Sequence, residues 1–145
     1  MSNYEIVIIG GGPAGITLAS RLGKHFLTAV IRPEPHSMIY CAMPYAVEKT
    51  LPFEKTLKKD SLVTDAGAAL IRDSVKKVDF SDKSVETFSG GKIHYKKLII
   101  ATGAVPFVPP IDGANNKNVC TFKTEKDLEK IISYVNKGLK HAAIV

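Results

Sequence analysis

The sequence predicts an α/β fold in which a central parallel sheet carries an inserted antiparallel β-meander. Two apolar strand patterns flank a glycine turn and a helical segment over residues 4–31, a succession typical of parallel sheets. Three short β-prone segments between residues 74 and 95 are separated by turn residues and predict the meander. The length of 145 residues suits one domain with an apolar core and is too short for two full ones.

Four segments are predicted to form the parallel strands. Tyr4–Ile9 and Thr28–Ile31 carry β-branched apolar runs typical of strands buried on both faces. Ala68–Ile71 is a third candidate, and Lys97–Ala101 returns to the same pattern after the meander.

The helix after the first strand is expected to start near Pro13, because proline costs no hydrogen bond in a first turn, and to end at Gly23. Gly15 and Ala19 are expected to keep it close to the sheet. Its apolar face is predicted to comprise the residues at i, i+4 and i+8, namely Ala14, Leu18 and Leu22.

The meander is predicted from three short segments joined by two polar turns at residues 81–83 and 89–91. The segments are Ser74–Phe80, Ser84–Phe88 and Lys92–Tyr95. Residues 37–47 predict a loop leading into a short helix and broken at Pro44, whereas residues 48–65 predict no definite element.

The last third of the chain predicts an extended linker over residues 106–113 and one further helix. Thr124 and Asp127 have the spacing of a capping box, and Gly138 is expected to end the helix. The helical face consists of Leu128, Ile131, Ile132 and Val135. Residues 142–145 resemble the opening of another strand, so we expect the chain to be the N-terminal part of a longer protein.

Composition excludes several classes of function. The 20 basic and 14 acidic residues give a net charge of +6 but are interleaved, so we predict a solvated lysine-rich surface and no nucleic-acid partner. No apolar run is long enough to span a membrane and no signal-peptide pattern precedes the first strand, so we predict no membrane association and a cytoplasmic location. Cys41 and Cys120 form no Cys-x-x-Cys motif, which excludes a local zinc knuckle or paired dithiol.

The glycine turn predicts a dinucleotide site. Gly10, Gly12 and Gly15 fit G-x-G-x-x-G: the first allows the turn, the second lets a pyrophosphate approach the backbone, and the third lets the helix pack against the strand. The helix N-terminus, which starts with Pro13 and Ala14, offers the unpaired N–H groups of the residues from Ala14 onward and a partial positive charge to that anion.

Three segments in order resemble the pyridine nucleotide-disulfide oxidoreductases: Ile8–Gly15, then Ser37–Tyr45 with Cys41, then Leu98–Ala104. The tail over residues 109–113 also resembles the family's exit from its flavin domain. The resemblance implies a three-layer Rossmann-like FAD/NAD(P)-binding fold. It implies an FAD-binding domain over residues 1–113, and a linker helix with the start of a truncated NAD(P)-binding domain over residues 114–145.

The resemblance also implies the roles of individual residues. Ala101, Thr102 and Gly103 would form the second flavin contact, and the backbone near Val78 would meet the adenine. The segment around Cys41 is similar to the single-cysteine branch of coenzyme A disulfide reductases, NADH oxidases, NADH peroxidases and polysulfide reductases. In that branch Cys41 would be the redox thiol beside the flavin, cycling through a sulfenic acid or a mixed disulfide, and Cys120 is interpreted as incidental.

This sequence departs from the family pattern at three positions. Arg32 stands where an acid normally holds the adenosine ribose. The ribose contact is then missing, or supplied by Glu34, or replaced by Arg32 stacking on the adenine; Arg32 also suits a 2′-phosphate and hence NADP. Pro13 stands where the peroxidase and water-forming oxidase branch has histidine, and Tyr40 stands where asparagine often precedes the cysteine.

We therefore expect an NAD(P)H-dependent flavoprotein that reduces a small-molecule disulfide, coenzyme A disulfide or polysulfide through Cys41. The alternatives are an electron-transfer reductase of the rubredoxin or ferredoxin type, an NADH oxidase, and a non-enzymatic nucleotide-sensing module. The resemblance implies a homodimer for the full-length enzyme, and these residues alone are expected not to turn over. The choice between NADH and NADPH stays open.

Overall fold

The computed structural model describes residues 2–144, with side chains from residue 3 onward. These residues form two compact units. The first comprises the residues up to Ser37 together with Lys58–Gly103 and contains the main sheet. The second comprises Met38–Leu57 together with the residues from Ala104 onward. The expected domain division at residue 113 stays a prediction.

The described residues contain eight strands and four α-helices. They are β1 (Ser2–Ile9), α1 (Pro13–Leu22), β2 (Thr28–Arg32), β3 (Ser37–Met38), α2 (Met43–Val47), β4 (Leu57–Lys58), α3 (Ser61–Thr64), β5 (Ala69–Arg72), β6 (Val75–Asp79), β7 (Ser84–Thr87), β8 (Lys92–Ile100) and α4 (Glu125–Asn136). Turns of 3-10 helix at Tyr40–Ala42 and Phe53–Thr56 flank α2. The two-residue strands β3 and β4 pair with each other.

The sheet of the first unit has six strands in the order β5-β2-β1-β8-β7-β6. β1 runs parallel to both neighbours, with Ile8 in register with Val30 on β2 and with Ile99 on β8. β5 runs parallel to β2. The predicted α/β fold and its four parallel strands are confirmed, and β1 begins two residues earlier than expected.

The meander is confirmed, but its third segment and the last parallel strand, predicted as two elements, form one strand. Segments 92–95 and 97–100 belong to one continuous strand, β8, and Ala101, predicted to end the last parallel strand, lies just beyond it. Its first residues pair antiparallel with β7, while most of its length pairs parallel with β1. Because one strand bonds two neighbours on opposite edges, the meander extends the main sheet. The polar Lys96 and Lys97 hid this continuity from the sequence pattern.

The helix α1 begins at Pro13 as predicted, but its buried side is different. Ala14 is exposed. The buried side consists of Gly15, Ile16 and Ala19. Spacing identifies which residues share a helix face, whereas the rotation of the helix is decided by contact between Gly15 and the backbone of Gly10.

The end of α1 at Leu22 is also as predicted, for a steric reason. Gly23 has an ordinary helical φ of −59°, so its conformation does not require glycine. A β-carbon there would lie 2.8 Å from the carbonyl oxygen of Ala66 and 2.9 Å from Cβ of Ala68. Glycine is required because the segment leading into β5 packs against the helix terminus.

Two apolar clusters cover the opposite faces of the parallel strands. Alternate residues of β1 and β2 point to each side, as the pleat of a strand requires. The helix side contains Ile8, Val30, Ile16, Ala19, Val63 and Ala68. The other side contains Val7, Ile9, Ala29, Ile31, Val85, Ile93 and Tyr95. The second cluster includes meander residues, so the meander and the parallel strands share one core.

The second unit is held together by packing of α2 and the adjoining turns against α4. Met38, Met43, Ala46 and Leu128 form its buried cluster. The capping box is confirmed: Thr124 Oγ1 accepts from the Asp127 N–H at 3.1 Å, and Asp127 Oδ2 accepts from the Thr124 N–H at 2.8 Å. Gly138, at φ +80°, follows the helix as predicted.

Two other expectations concern irregular segments. Residues 106–111 form no regular element, in agreement with an extended linker. The strand expected at 142–145 is wrong for residues 142–144, which have no strand partner in the described chain; Val145 lies outside the described residues. An apolar run becomes a strand only where a neighbour completes its hydrogen bonds. Among residues 2–144, no helix has both the length and the apolar character needed to cross a membrane.

Candidate functional site

The glycine turn lies at the carboxyl edge of the parallel strands, in direct contact with the end of β8. Gly10 has φ +109°, a conformation that only glycine adopts readily. A β-carbon on Gly10 would lie 2.6 Å from the carbonyl carbon of Ala101 and 2.9 Å from the Thr102 nitrogen. The Ala101 N–H donates to the Ile9 carbonyl at 2.8 Å. The structure therefore brings the glycine turn and residues 101–103 together, although they are far apart in sequence.

The first turn of α1 has no side-chain cap. Gly12 is the N-cap and has no side chain to occupy the first-turn N–H groups, while its carbonyl accepts from the Ile16 N–H at 3.0 Å. Pro13 and Ala14 are exposed. Gly15 approaches Gly10 so closely that any β-carbon would collide with the Gly10 carbonyl oxygen. The free N–H groups and the helix dipole make this edge suitable for an anion such as a pyrophosphate.

The end of β8 continues this surface. Thr102 and Gly103 are exposed, and Gly103 has φ +73° with no atom within 4 Å of the place that a β-carbon would take. Val78 lies on the edge strand β6, opposite Val85, and packs against the cluster that contains Ile9. All the predicted cofactor residues thus lie in the first unit.

Arg32 at the end of β2 is buried, contrary to the stacking role considered for it. Its side chain is 0% exposed and its aliphatic part packs against Gly11. A buried guanidinium presents no open face on which an adenine could stack. Burial, followed by the charge of Arg72, lowers the pKa of Arg32, while Asp60 opposes the shift. An arginine nevertheless stays protonated at neutral pH.

Asp60 joins Arg32 to a second arginine. Asp60 Oδ1 accepts from Arg32 Nη2, and Asp60 Oδ2 accepts from Arg72 Nη2. Arg72 Nη1 donates to the backbone carbonyls of Glu34 and Pro35. The Glu34 side chain is exposed, so a ribose contact through Glu34 remains geometrically open. Sequence reasoning missed Asp60 and Arg72, because no local pattern marks either residue.

Cys41 lies in the second unit, in the 3-10 turn Tyr40–Ala42, and its thiol is free and exposed. The Ala42 N–H donates to the Ile39 carbonyl at 2.9 Å. Met43, which follows, is 1% exposed and packs in the buried cluster with Leu128. The thiol is thus presented to solvent by a turn whose flanking residue is anchored in a core.

Lys123 is a further charged neighbour of this turn that the sequence did not indicate. Its Nζ lies 3.8 Å from the centroid of the Tyr40 ring, a cation–π contact within the second unit.

Cys120 is free and exposed. Within residues 2–144, no cluster of three or more histidine, cysteine or acidic side chains could hold a metal ion.

Comparison with known families gives a match over nearly the whole chain. The sequence model of the family described as "Pyridine nucleotide-disulphide oxidoreductase" matches residues 4–145. The chain is 29% identical to an NADH oxidase of Methanocaldococcus jannaschii, covering 96% of this chain and 34% of that protein. It is 31% identical to a CoA-dependent NAD(P)H sulfur oxidoreductase of Pyrococcus abyssi, covering 92% and 32%.

Solved structures show the same relation. The chain superposes on the NADH:rubredoxin oxidoreductase of Clostridium acetobutylicum with a TM-score of 0.77 and 27% identity, covering 94% of this chain and 37% of that one. It superposes on an NAD-dependent persulfide reductase from A. fulgidus with a TM-score of 0.80 and 27% identity, covering 94% and 28%. The chain therefore spans about a third of the length of these relatives.

Proposed function

This chain belongs to the pyridine nucleotide-disulphide oxidoreductase family, and on that premise we propose that its first unit binds FAD within a longer NAD(P)H-dependent oxidoreductase. We propose further that the whole protein reduces a small-molecule disulfide, coenzyme A disulfide or polysulfide through Cys41. FAD would supply two-electron chemistry, accepting a hydride equivalent from a reduced nicotinamide and passing the electrons to sulfur.

The observation that carries the FAD proposal is the contact between Gly10 and Ala101. No β-carbon fits at Gly10 or Gly15, so two backbone segments form one continuous surface with a helix N-terminus beside it. Such a surface fits a pyrophosphate and the adjoining parts of a dinucleotide. The residues that would hold the cofactor are Gly10, Gly12, Pro13, Ala14, Gly15, Val78, Ala101, Thr102 and Gly103, with Arg32 and Glu34 at the adenosine end.

Cys41 would act as the nucleophile. As a thiolate its Sγ attacks one sulfur of a disulfide, forming a mixed disulfide and releasing the other half as a thiolate. Two electrons and a proton then cleave the mixed disulfide, which releases the second thiol and restores the Cys41 thiolate. The exposed, free thiol in an anchored turn supports this role, because the attacking sulfur must be reachable and held in place.

The relatives favour sulfur chemistry and leave one alternative with direct support. A CoA-dependent sulfur oxidoreductase and a persulfide reductase are both similar to this chain. The similarity to NADH:rubredoxin oxidoreductase supports the alternative of electron transfer to a protein carrier, with Cys41 a bystander. The NADH oxidase among the relatives keeps oxygen reduction as a further alternative, which Pro13 in the glycine turn disfavours.

Replacement of Cys41 tests the assignment in the whole protein. In anaerobic titrations of the FAD-loaded protein with NADH and then NADPH, we expect a long-wavelength absorbance band from contact between a thiolate and the flavin. Cys41→Ser should remove both the band and disulfide reduction while FAD binding persists. Cys120→Ser, at the other exposed cysteine, is the matched control and should behave as wild type. Full disulfide reduction by Cys41→Ser would exclude the nucleophilic role and favour the electron-transfer alternative.

The same proposal covers the oligomeric state, location and domain division of the whole protein. We propose a homodimer in the cytoplasm, with FAD bound by residues 1–113 and a nicotinamide-binding domain beginning within residues 114–145. Residues 1–145 alone should not oxidise NADH or NADPH in steady state. Measurable turnover by these residues alone would contradict that part of the proposal.

A further inference from the structure

Asp60 is held at the edge of the sheet by two arginines from neighbouring strands. Arg32 ends β2 and Arg72 ends β5, and each donates to a different oxygen of the Asp60 carboxylate. β2 and β5 are parallel, with Arg32 and Arg72 in register, so both side chains start from the same carboxyl edge as the glycine turn. The Asp60 side chain remains 37% exposed. The network therefore orients a carboxylate that a ligand can still reach.

Arg32 connects this carboxylate to the glycine turn. Its Cδ occupies the place that a β-carbon on Gly11 would need, and its Nη2 reaches both Asp60 and, at 3.3 Å, the Pro35 carbonyl. Asp60 consequently lies within one arginine side chain of the turn that would bind the pyrophosphate. In dinucleotide sites of this fold, the adenosine ribose lies next to the pyrophosphate, near the end of the second strand.

Two hydrogen-bond donors of Arg32 have no acceptor. Nε and Nη1 of Arg32 are buried and have no hydrogen-bond partner, although the side chain is 0% exposed. Buried donors without acceptors are unfavourable and rare, so the network points to an acceptor that completes it. A hydroxyl is suited to this environment, because it can donate to a carboxylate and accept from a guanidinium at the same time.

We propose that Asp60 is the carboxylate that accepts hydrogen bonds from the hydroxyls of the adenosine ribose, and that Arg32 and Arg72 are its positioning residues. The inference rests on the proposed dinucleotide site and replaces the acid that is absent from the end of β2. Each carboxylate oxygen bonds one arginine and keeps a lone pair for a hydroxyl.

Arg72 also holds the backbone that follows β2. It donates to the carbonyls of Glu34 and Pro35, which fixes the backbone that follows β2. The rim of the ribose site is therefore held by the same carboxylate that would bind the ribose. Removing Asp60 leaves two guanidinium groups facing each other without a counter-charge, so the site should lose its shape as well as its acceptor.

The test compares nucleotides on flavin-free whole protein by titration calorimetry. The probes are ADP, 2′,3′-dideoxy-ADP and adenosine 2′,5′-bisphosphate. Wild type should bind ADP about tenfold or more tightly than dideoxy-ADP, the loss expected for hydrogen bonds to a charged group. Asp60→Asn should weaken ADP and leave the two affinities nearly equal. Asp60→Glu should restore part of the preference, and Asp65→Asn, at the exposed carboxylate just after α3, should match wild type.

The outcomes separate this inference from the proposed function. The wild-type comparison needs no substitution, so it can overturn the inference even if Asp60→Asn fails to fold, and Asp60→Glu then tests the carboxylate itself. Equal binding of ADP and dideoxy-ADP by wild type overturns the inference while FAD binding leaves the proposed function standing. Tighter binding of adenosine 2′,5′-bisphosphate than of ADP overturns it in favour of a phosphate contact. Failure of the wild type to bind either FAD or ADP refutes both.

Discussion

Gly15 shows how a contact overrides intrinsic preference at a single residue. It lies inside α1 with helical geometry, where alanine is intrinsically more favourable than glycine by about 1 kcal/mol. A β-carbon there would nevertheless collide with the carbonyl oxygen of Gly10, which is itself fixed at φ +109°. The backbone oxygen cannot move away as a flexible side chain could. The packing cost therefore exceeds the gain in helix propensity.

Gly15→Ala should destabilise the protein by about 1–3 kcal/mol and weaken FAD binding, because relief of the collision must shift the glycine turn. The measurement is chemical unfolding of the purified protein together with FAD titration. Thr17→Ala, at an exposed position of the same helix, is the control and should be neutral or slightly stabilising. A stabilising Gly15→Ala would show that the close contact is absent in solution.

At the scale of elements, Asp73 ties the corner between β5 and β6 to the turn between β7 and β8. Its Oδ1 accepts from the Ser74 N–H at 2.8 Å, and its Oδ2 accepts from the Ser89 N–H at 3.2 Å and from the Ser89 hydroxyl. The hydrogen bond from the Ser89 hydroxyl, followed by one from Thr87, lowers the pKa of Asp73 from 3.8 to about 2. These bonds favour the ionised carboxylate in the folded state.

Ser89→Ala should lower the thermal midpoint at neutral pH, and its difference from wild type should shrink as the pH falls from about 4 to about 2. A depressed folded-state pKa contributes stability above the unfolded-state pKa, and that stability is lost as the pH falls through the folded value. Ser81→Ala in the other hairpin turn is the control and should show no such trend. A difference that is constant across this pH range would argue against the Asp73 linkage.

At the scale of the whole molecule, β8 makes the parallel strands and the meander one sheet. The predicted pyrophosphate, adenine and second flavin contacts all lie on this unit, while Cys41 belongs to the second unit with α2 and α4. Relatives are about three times as long as this chain, so the catalytic cycle is proposed for the whole protein. The cofactor, by contrast, has its proposed adenosine and pyrophosphate contacts within these residues.

FAD should raise the free energy of unfolding of the whole protein by about 2.7 kcal/mol at a free concentration one hundred times its Kd, because it would bind only the folded state. FMN should have a much smaller effect at equal concentration, since it lacks the adenosine and one phosphate that the glycine turn and Asp60 network would hold. Thermal unfolding at several ligand concentrations measures both. Equal stabilisation by FMN and FAD would mean that the adenosine end contributes no binding.

The sequence alone determined the features that depend on neighbouring residues. Four local features were predicted, because each is a backbone conformation set by residues within one or two turns. They are the glycine turn, the hairpin turns, the capping box at Thr124 and the end of α4 just before Gly138. Alternating and continuous apolar runs likewise identified the strands. These patterns were sufficient for the α/β fold and for a family membership that the comparison confirmed.

Only the tertiary structure decided which residues meet across long separations. Asp60 and Arg32 lie 28 positions apart, and Arg72 is 12 positions beyond Asp60, so no local spacing could join them. The buried side of α1 and the continuity of β8 were also decided by packing, since a pattern of apolar residues specifies a face but not its orientation. Whether Arg32 is a surface group or a buried tether depends on the carboxylate opposite it, because a charged group is buried only where a partner compensates its lost hydration.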